Sequence, residues 1–100
     1  MESYKAVMEA VDEALAYFGR SVREVVYYYF ESRYGVNRHE IPVRLELFAN
    51  CLEEIFSYAS YIIERAVIEK LSFKLGVELR SKSLRELVAE LSERRLLGFS

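Results

Sequence analysis

With 100 residues, 52 % of them hydrophobic and 30 % charged, and with only four Gly and one Pro, the chain has room for one compact domain. A chain of this size withdraws roughly two-thirds of its extended surface from water on folding, enough for a core without metal or disulfide, and this excludes a largely disordered segment. The formal net charge of −2 supplies no global field that would draw the molecule onto a nucleic acid or an anionic bilayer.

From Tyr4 the apolar residues Val7, Met8, Val11, Leu15 and Phe18 recur at spacings of three and four. They predict a helix over 4–18, with Gly19 as a left-handed stop. Ser21-Val22-Arg23-Glu24 reads as a capping box that opens a second helix over 22–34, ended by Gly35. The connector 36–42 mixes turn formers with Pro42, whose fixed φ suits a first helical position, so a third helix is expected over 42–56. Leu45, Phe48, Leu52, Ile55 and Phe56 form its core stripe. A fourth helical pattern covers 58–75 and stops at Gly76. Ser57 is a weaker breaker than Gly, which leaves open a single bent helix across this junction.

Val77-Glu78-Leu79-Arg80 alternates like a strand but has no partner segment, so 77–83 is expected to be an extended linker. Ser83-Leu84-Arg85-Glu86 repeats the capping-box spacing, and Leu84, Leu87, Val88 and Leu91 predict a last helix over 84–97. The expected architecture is all-α, a compact five-helix bundle in one domain with its core over 4–76.

Helices two and four carry more apolar girth than one buried stripe requires. On helix two, Val22, Val25, Val26 and Tyr29 share one face, while Tyr27, Phe30 and Tyr34 lie on the adjoining one and Tyr28 points elsewhere. On helix four, Ala59, Ile62, Ala66 and Phe73 form one stripe and Tyr61, Ile68, Leu71 and Leu75 another, nearly opposite. Either helix four is sandwiched within its own chain, or one stripe lies in an interface. The expected partner surface combines Tyr27, Tyr28, Phe30 and Tyr34 with Tyr61, Ile68, Leu71 and Leu75.

Charge is uneven along the chain. Residues 40–64 hold five acidic side chains against Arg44, whereas residues 70–85 carry Lys70, Lys74, Arg80, Lys82 and Arg85 against Glu78. These are ordinary solvated faces or, functionally, a docking or anion-contact surface. Arg33 falls beside Val22, Val26 and Tyr29 on the wheel and is a candidate charge in a cleft, or a stem on apolar surface with its head in water.

No residue constellation commits to a reaction. His39 is the only histidine; His39-Glu40 begins like a zinc-protease motif, but no second His follows and Pro42 interrupts the required helix. Cys51 borders an apolar stripe and reads as a packed hydrophobe, and Glu53 and Glu54 point 100° apart. The glycines are isolated helix stops, so there is no phosphate loop. No catalytic residue, metal or cofactor is expected. A lone Cys excludes an intrachain disulfide framework, and no basic region followed by an apolar run opens the chain, so a cytoplasmic setting is expected without membrane insertion. The absence of Thr, Gln and Trp beside abundant Glu, Arg and Lys suits a thermophilic source.

Several strings carry a family likeness: Glu9-Ala10-Val11-Asp12-Glu13-Ala14-Leu15, Val25-Val26-Tyr27-Tyr28-Tyr29-Phe30-Glu31 with Tyr34-Gly35, Glu40-Ile41-Pro42, and Leu52-Glu53-Glu54-Ile55-Phe56. In order and spacing they resemble a family of small archaeal all-helical output domains of signal-transduction proteins, over residues 5–79. The resemblance implies an archaeal, cytoplasmic, non-enzymatic helical module and carries over no catalytic residue. Ser57 stands where the family pattern would place Gly. The leading expectation is therefore a helical protein–protein interaction or signalling output module that self-associates as a dimer. The alternative is a nucleic-acid-associated regulator that sets the basic 70–85 segment on phosphates, with Tyr28 stacking a base.

Overall fold

The computed structural model describes residues 2–94, within which five α-helices and no strand occur. They are α1 (Glu2–Tyr17), α2 (Arg20–Tyr34), α3 (Leu45–Phe56), α4 (Ser60–Leu75) and α5 (Leu84–Glu93), with short 3₁₀ turns at Arg38–Val43 and Ser57–Ala59. The chain is an all-α helical bundle. The last predicted residues of the fifth helix, 95–97, lie outside the described residues.

Helix α4 is the hub: its most extensive packing is against α1, and it also meets α3 and α5. Val7, Ala10, Val11, Ala14 and Leu15 of α1 are fully buried, and the two alanines let backbones come close where larger side chains would hold them apart. Phe30 of α2 meets Phe48 of α3 edge to face, with ring centroids 5.3 Å apart and planes at 87°. Such a geometry contributes about 0.5–1.5 kcal/mol beyond the burial of the rings. Leu84, Leu87 and Leu91 of α5 are buried, and the helix lies on α3 and α4.

Two expectations about helix ends are corrected, and the division between the third and fourth helices is found where it was expected. Ser21 does not cap α2: the helix starts at Arg20, two residues before the expected start, Gly19 is its cap, and no side chain accepts there. Gly19 adopts φ 131°, ψ 145°, a conformation open to a residue without Cβ, so α1 and α2 join through a turn too tight for a separate Ser cap. Pro42 does not begin α3; it lies inside the first 3₁₀ turn, which Asn37 caps by accepting the amide of His39 at 2.8 Å. Helices α3 and α4 are separate, because Ser57 takes φ 55°, ψ −128° and breaks the axis. The cap expected at Ser83 does form: its hydroxyl accepts the Glu86 amide at 3.1 Å, and the Glu86 carboxylate accepts the Lys82 amide at 2.9 Å.

The linker before α5 is held by one acid. Glu90 accepts hydrogen bonds from the amides of Arg80 and Ser81 and from the Ser81 hydroxyl, and pairs with Arg94 at 3.2 Å. Arg94 in turn donates to the carbonyl of Glu78. An extended segment that would otherwise leave amides unpaired is thereby tied to the last helix.

Candidate docking face on helix four

Residues at spacings of three and four along α4 divide into two rows. Ser60, Ile63, Glu64, Val67, Ile68 and Leu71 face inward and are buried. The outward row holds large apolar side chains in water: Tyr58 just before the helix is 91 % exposed, Tyr61 60 %, Ile62 47 % and Phe73 89 %. Arg65 and Glu69 lie in the same row between them, both exposed. Neither makes an ion pair among the described residues.

This reverses most of the expected assignment. Ile68 and Leu71 are core and not partner surface, and Leu75 is partly covered. Ile62 and Phe73, placed in the opposite stripe, are outside together with Tyr61. The reason is chemical. The buried row contains Ser60 and Glu64, so counting apolar positions alone hides the row that packs inward. Glu64 is 4 % exposed, yet it belongs there because its carboxylate accepts the amide of Leu84 at 2.7 Å and so caps the first turn of α5. Burial pushes its pKa up, opposed by that hydrogen bond.

On α2, Tyr27 and Phe30 are likewise core, and Tyr34 is half-buried with its ring 5.7 Å from Phe30. Tyr27 donates its hydroxyl to Asp12 of α1 at 2.5 Å, and Arg38 lies 4.8 Å from its ring centroid. Burial first, then the Asp12 hydrogen bond, raises the Tyr27 pKa. Arg38 is also held two-pronged by Glu31, at 3.1 Å on each prong, which lowers the Glu31 pKa. Only Tyr28 of the Tyr27-Tyr28-Tyr29 run is fully outside, beside Val25.

Folding engages part of the basic segment in ion pairs within the chain. Lys74 is engaged by Glu13 at 2.8 Å and Glu9 at 3.6 Å. Arg85 is engaged by both oxygens of Glu53 and by Asn50. The side chains of Lys70, Arg80 and Lys82 make no ion pair among the described residues. Two of the five cations are thus engaged within the chain. Arg33 lies in no cleft; it is exposed at the end of α2, 3.9 Å from Glu54.

Beside Tyr58 and Tyr61 opens a cavity of about 580 Å³, lined also by Ser60, Glu64, Lys82 and the Glu53–Arg85 pair. Its charges are largely answered within the chain: Glu53 by Arg85, and one oxygen of Glu64 by Leu84. Nothing there forms a nucleophile–base pair. Elsewhere, Cys51 is buried and burial pushes its thiol up to about 12, the opposite of an activated nucleophile. His39 is exposed in the 3₁₀ turn. Among the described residues no group of three His, Cys, Asp or Glu is placed to hold a metal, and no helix is long and apolar enough to cross a membrane. Compared with known proteins, the chain matches no family model, no curated protein and no solved structure.

Proposed function

We propose that the chain is a non-enzymatic, cytoplasmic interaction module that docks a protein partner on the outer face of α4. The observation that carries this reading is the exposed row Tyr61, Ile62 and Phe73 on α4, extended by Tyr58 in the turn before it. Single exposed apolar side chains are ordinary, but three along one helix face with a fourth in the turn before it mark an association surface. Aromatic anchors are also the residues that dominate interface energetics when a partner desolvates them. The resemblance over residues 5–79 to signalling output domains supports the same reading, since such a module acts by contact. The engagement of Lys74 and Arg85 in ion pairs within the chain weighs against the nucleic-acid alternative.

The test is a photo-crosslinking amino acid at position 62 in the chain expressed in its own cells. A discrete crosslinked species is expected, and Phe73→Ser should reduce it at least about tenfold, the loss of one buried aromatic anchor. A crosslinked species unaffected by Phe73→Ser, or no species at all, would defeat the reading.

A further inference from the structure

We propose that the partner on α4 is a second copy of this chain, docked antiparallel about a two-fold axis that passes midway between residues 65 and 69. The inference rests on the docking face above and adds the occupant and its register. The outer row is built on steps of four: Tyr61, Arg65, Glu69 and Phe73. Residues at this spacing form one continuous ridge along the helix surface. A two-fold axis between residues 65 and 69 then sets Arg65 of one copy against Glu69 of the other. By the same symmetry it sets Glu69 against Arg65, so the contact is made twice. One step further out on each side, Tyr61 meets Phe73 of the second copy, again twice.

The charge order selects both the occupant and the direction. Arg65 and Glu69 are exposed, of opposite sign and without an ion-pair partner among the described residues. An isologous antiparallel contact matches them reciprocally. A parallel pairing in register would put Arg65 against Arg65 and Glu69 against Glu69, two like-charge contacts in a patch being stripped of water. The aromatic pairs are equally reciprocal, because Tyr61 and Phe73 stand equally far from the axis. A face that carries its own complement in mirrored order is what a homodimer requires of one helix. The apolar content is modest. An aromatic side chain contributes roughly 150–250 Å² when fully buried, and the few rings here place the contact at the small end of specific interfaces, with dissociation expected on the order of micromolar.

The experiment is sedimentation velocity and static light scattering of the purified chain across the micromolar range, on wild type, Arg65→Glu, Glu69→Arg, the combination of the two, and Phe73→Ser. Wild type is expected to pass from monomer to dimer. Each single reversal should weaken the dimer about tenfold or more, because it sets like charges face to face at both symmetric contacts, and the combined reversal should recover most of the affinity. Phe73→Ser should weaken it without recovery by either charge change. All substituted positions are exposed, and circular-dichroism melting checks that each variant is folded. Single reversals without effect, or a combined reversal as weak as the singles, would overturn the register. A wild type that stays monomeric overturns the second-copy occupant; if the crosslinker at position 62 then captures a different protein, the docking face itself stands, and if it captures nothing both readings fail.

Discussion

The carboxylate of Glu64, buried near the start of α4, accepts the backbone amide of Leu84, so one helix caps the first turn of another across 20 positions of sequence. Leu84 opens α5, where an unpaired amide would otherwise be sealed from water, and the negative charge sits at the positive end of the helix dipole. The arrangement has a cost, since burial raises the Glu64 pKa above its ordinary value. The sign follows directly: ionisation of Glu64 weakens the fold, a penalty absent below the unfolded-state value of 4.5 and complete above the raised folded-state value.

Glu64→Gln keeps an acceptor for the Leu84 amide and removes the buried charge. It is expected to be as stable as wild type or more so at pH 7, with the advantage shrinking as pH falls through the carboxylate range. Glu64→Leu removes the acceptor and should cost about 1–3 kcal/mol, the penalty of a buried unpaired donor. Urea unfolding of both variants at pH 7 and pH 4 separates the two effects.

Ser57 is the one non-glycine residue described with positive φ, at 55°. With ψ −128° it occupies a region that L side chains rarely adopt, at a cost on the order of 1–3 kcal/mol. Ser57→Gly should relieve that strain and lose part of the gain to the greater freedom of the unfolded chain, for a net stabilisation of about 1 kcal/mol. In a domain of this size that raises the melting temperature by about 4–8 °C. Ser57→Ala, which changes the side chain and not the backbone preference, should give no such rise.

That junction also shows what the sequence reveals and what it conceals. Glycines 35 and 76 announce their helix ends because the left-handed conformation they take, with φ 68° and φ 69°, is written in the residue type. Ser57 breaks the chain as sharply without the residue type that signals it, so the sequence places the division there but leaves a single bent helix open. The aliphatic stripes of α1, α3 and α5 were legible because each packs mainly with one apolar face. The rows of α4 were not. Its inward row mixes Ser60 and Glu64 with Ile63, Val67 and Leu71, and what makes Glu64 fit is a tertiary hydrogen bond to α5 that no local pattern encodes. The same holds on α2, where Tyr27 is inward because Asp12 of α1 receives its hydroxyl. Polar residues satisfied at long range are what periodicity cannot see.

Glu90 makes the linker pH-sensitive. Burial alone would raise its pKa, but hydrogen bonds from the Ser81 hydroxyl, the Arg80 and Ser81 amides and Arg94 overcome this and bring it from 4.5 to about 2. Its stabilising contribution is therefore complete above pH 4.5 and is lost progressively as pH falls toward 2. Glu90→Gln is expected to be about 2 kcal/mol less stable than wild type at pH 7. The two unfolding curves should converge as the pH is lowered, because wild type then gives up what the variant already lacks. A constant difference across that range would assign the effect to packing instead.

Tyr27 joins three elements through one side chain: its ring is buried in the core, its hydroxyl donates to Asp12 of α1 at 2.5 Å, and the Arg38 guanidinium that covers the ring is itself clamped by Glu31. Tyr27→Phe keeps the ring and its contact with Arg38 but leaves the half-buried Asp12 carboxylate without that donor. A hydrogen bond to a charged group contributes about 1.5–3 kcal/mol, and that loss is expected in the urea midpoint at pH 7. Pairing the change with Asp12→Ala tests whether the hydroxyl and the carboxylate act on each other. In a double-mutant cycle the combined loss should fall short of the sum of the singles by about 1 kcal/mol or more. Strict additivity would mean that Tyr27 holds α1 to α2 through its ring alone.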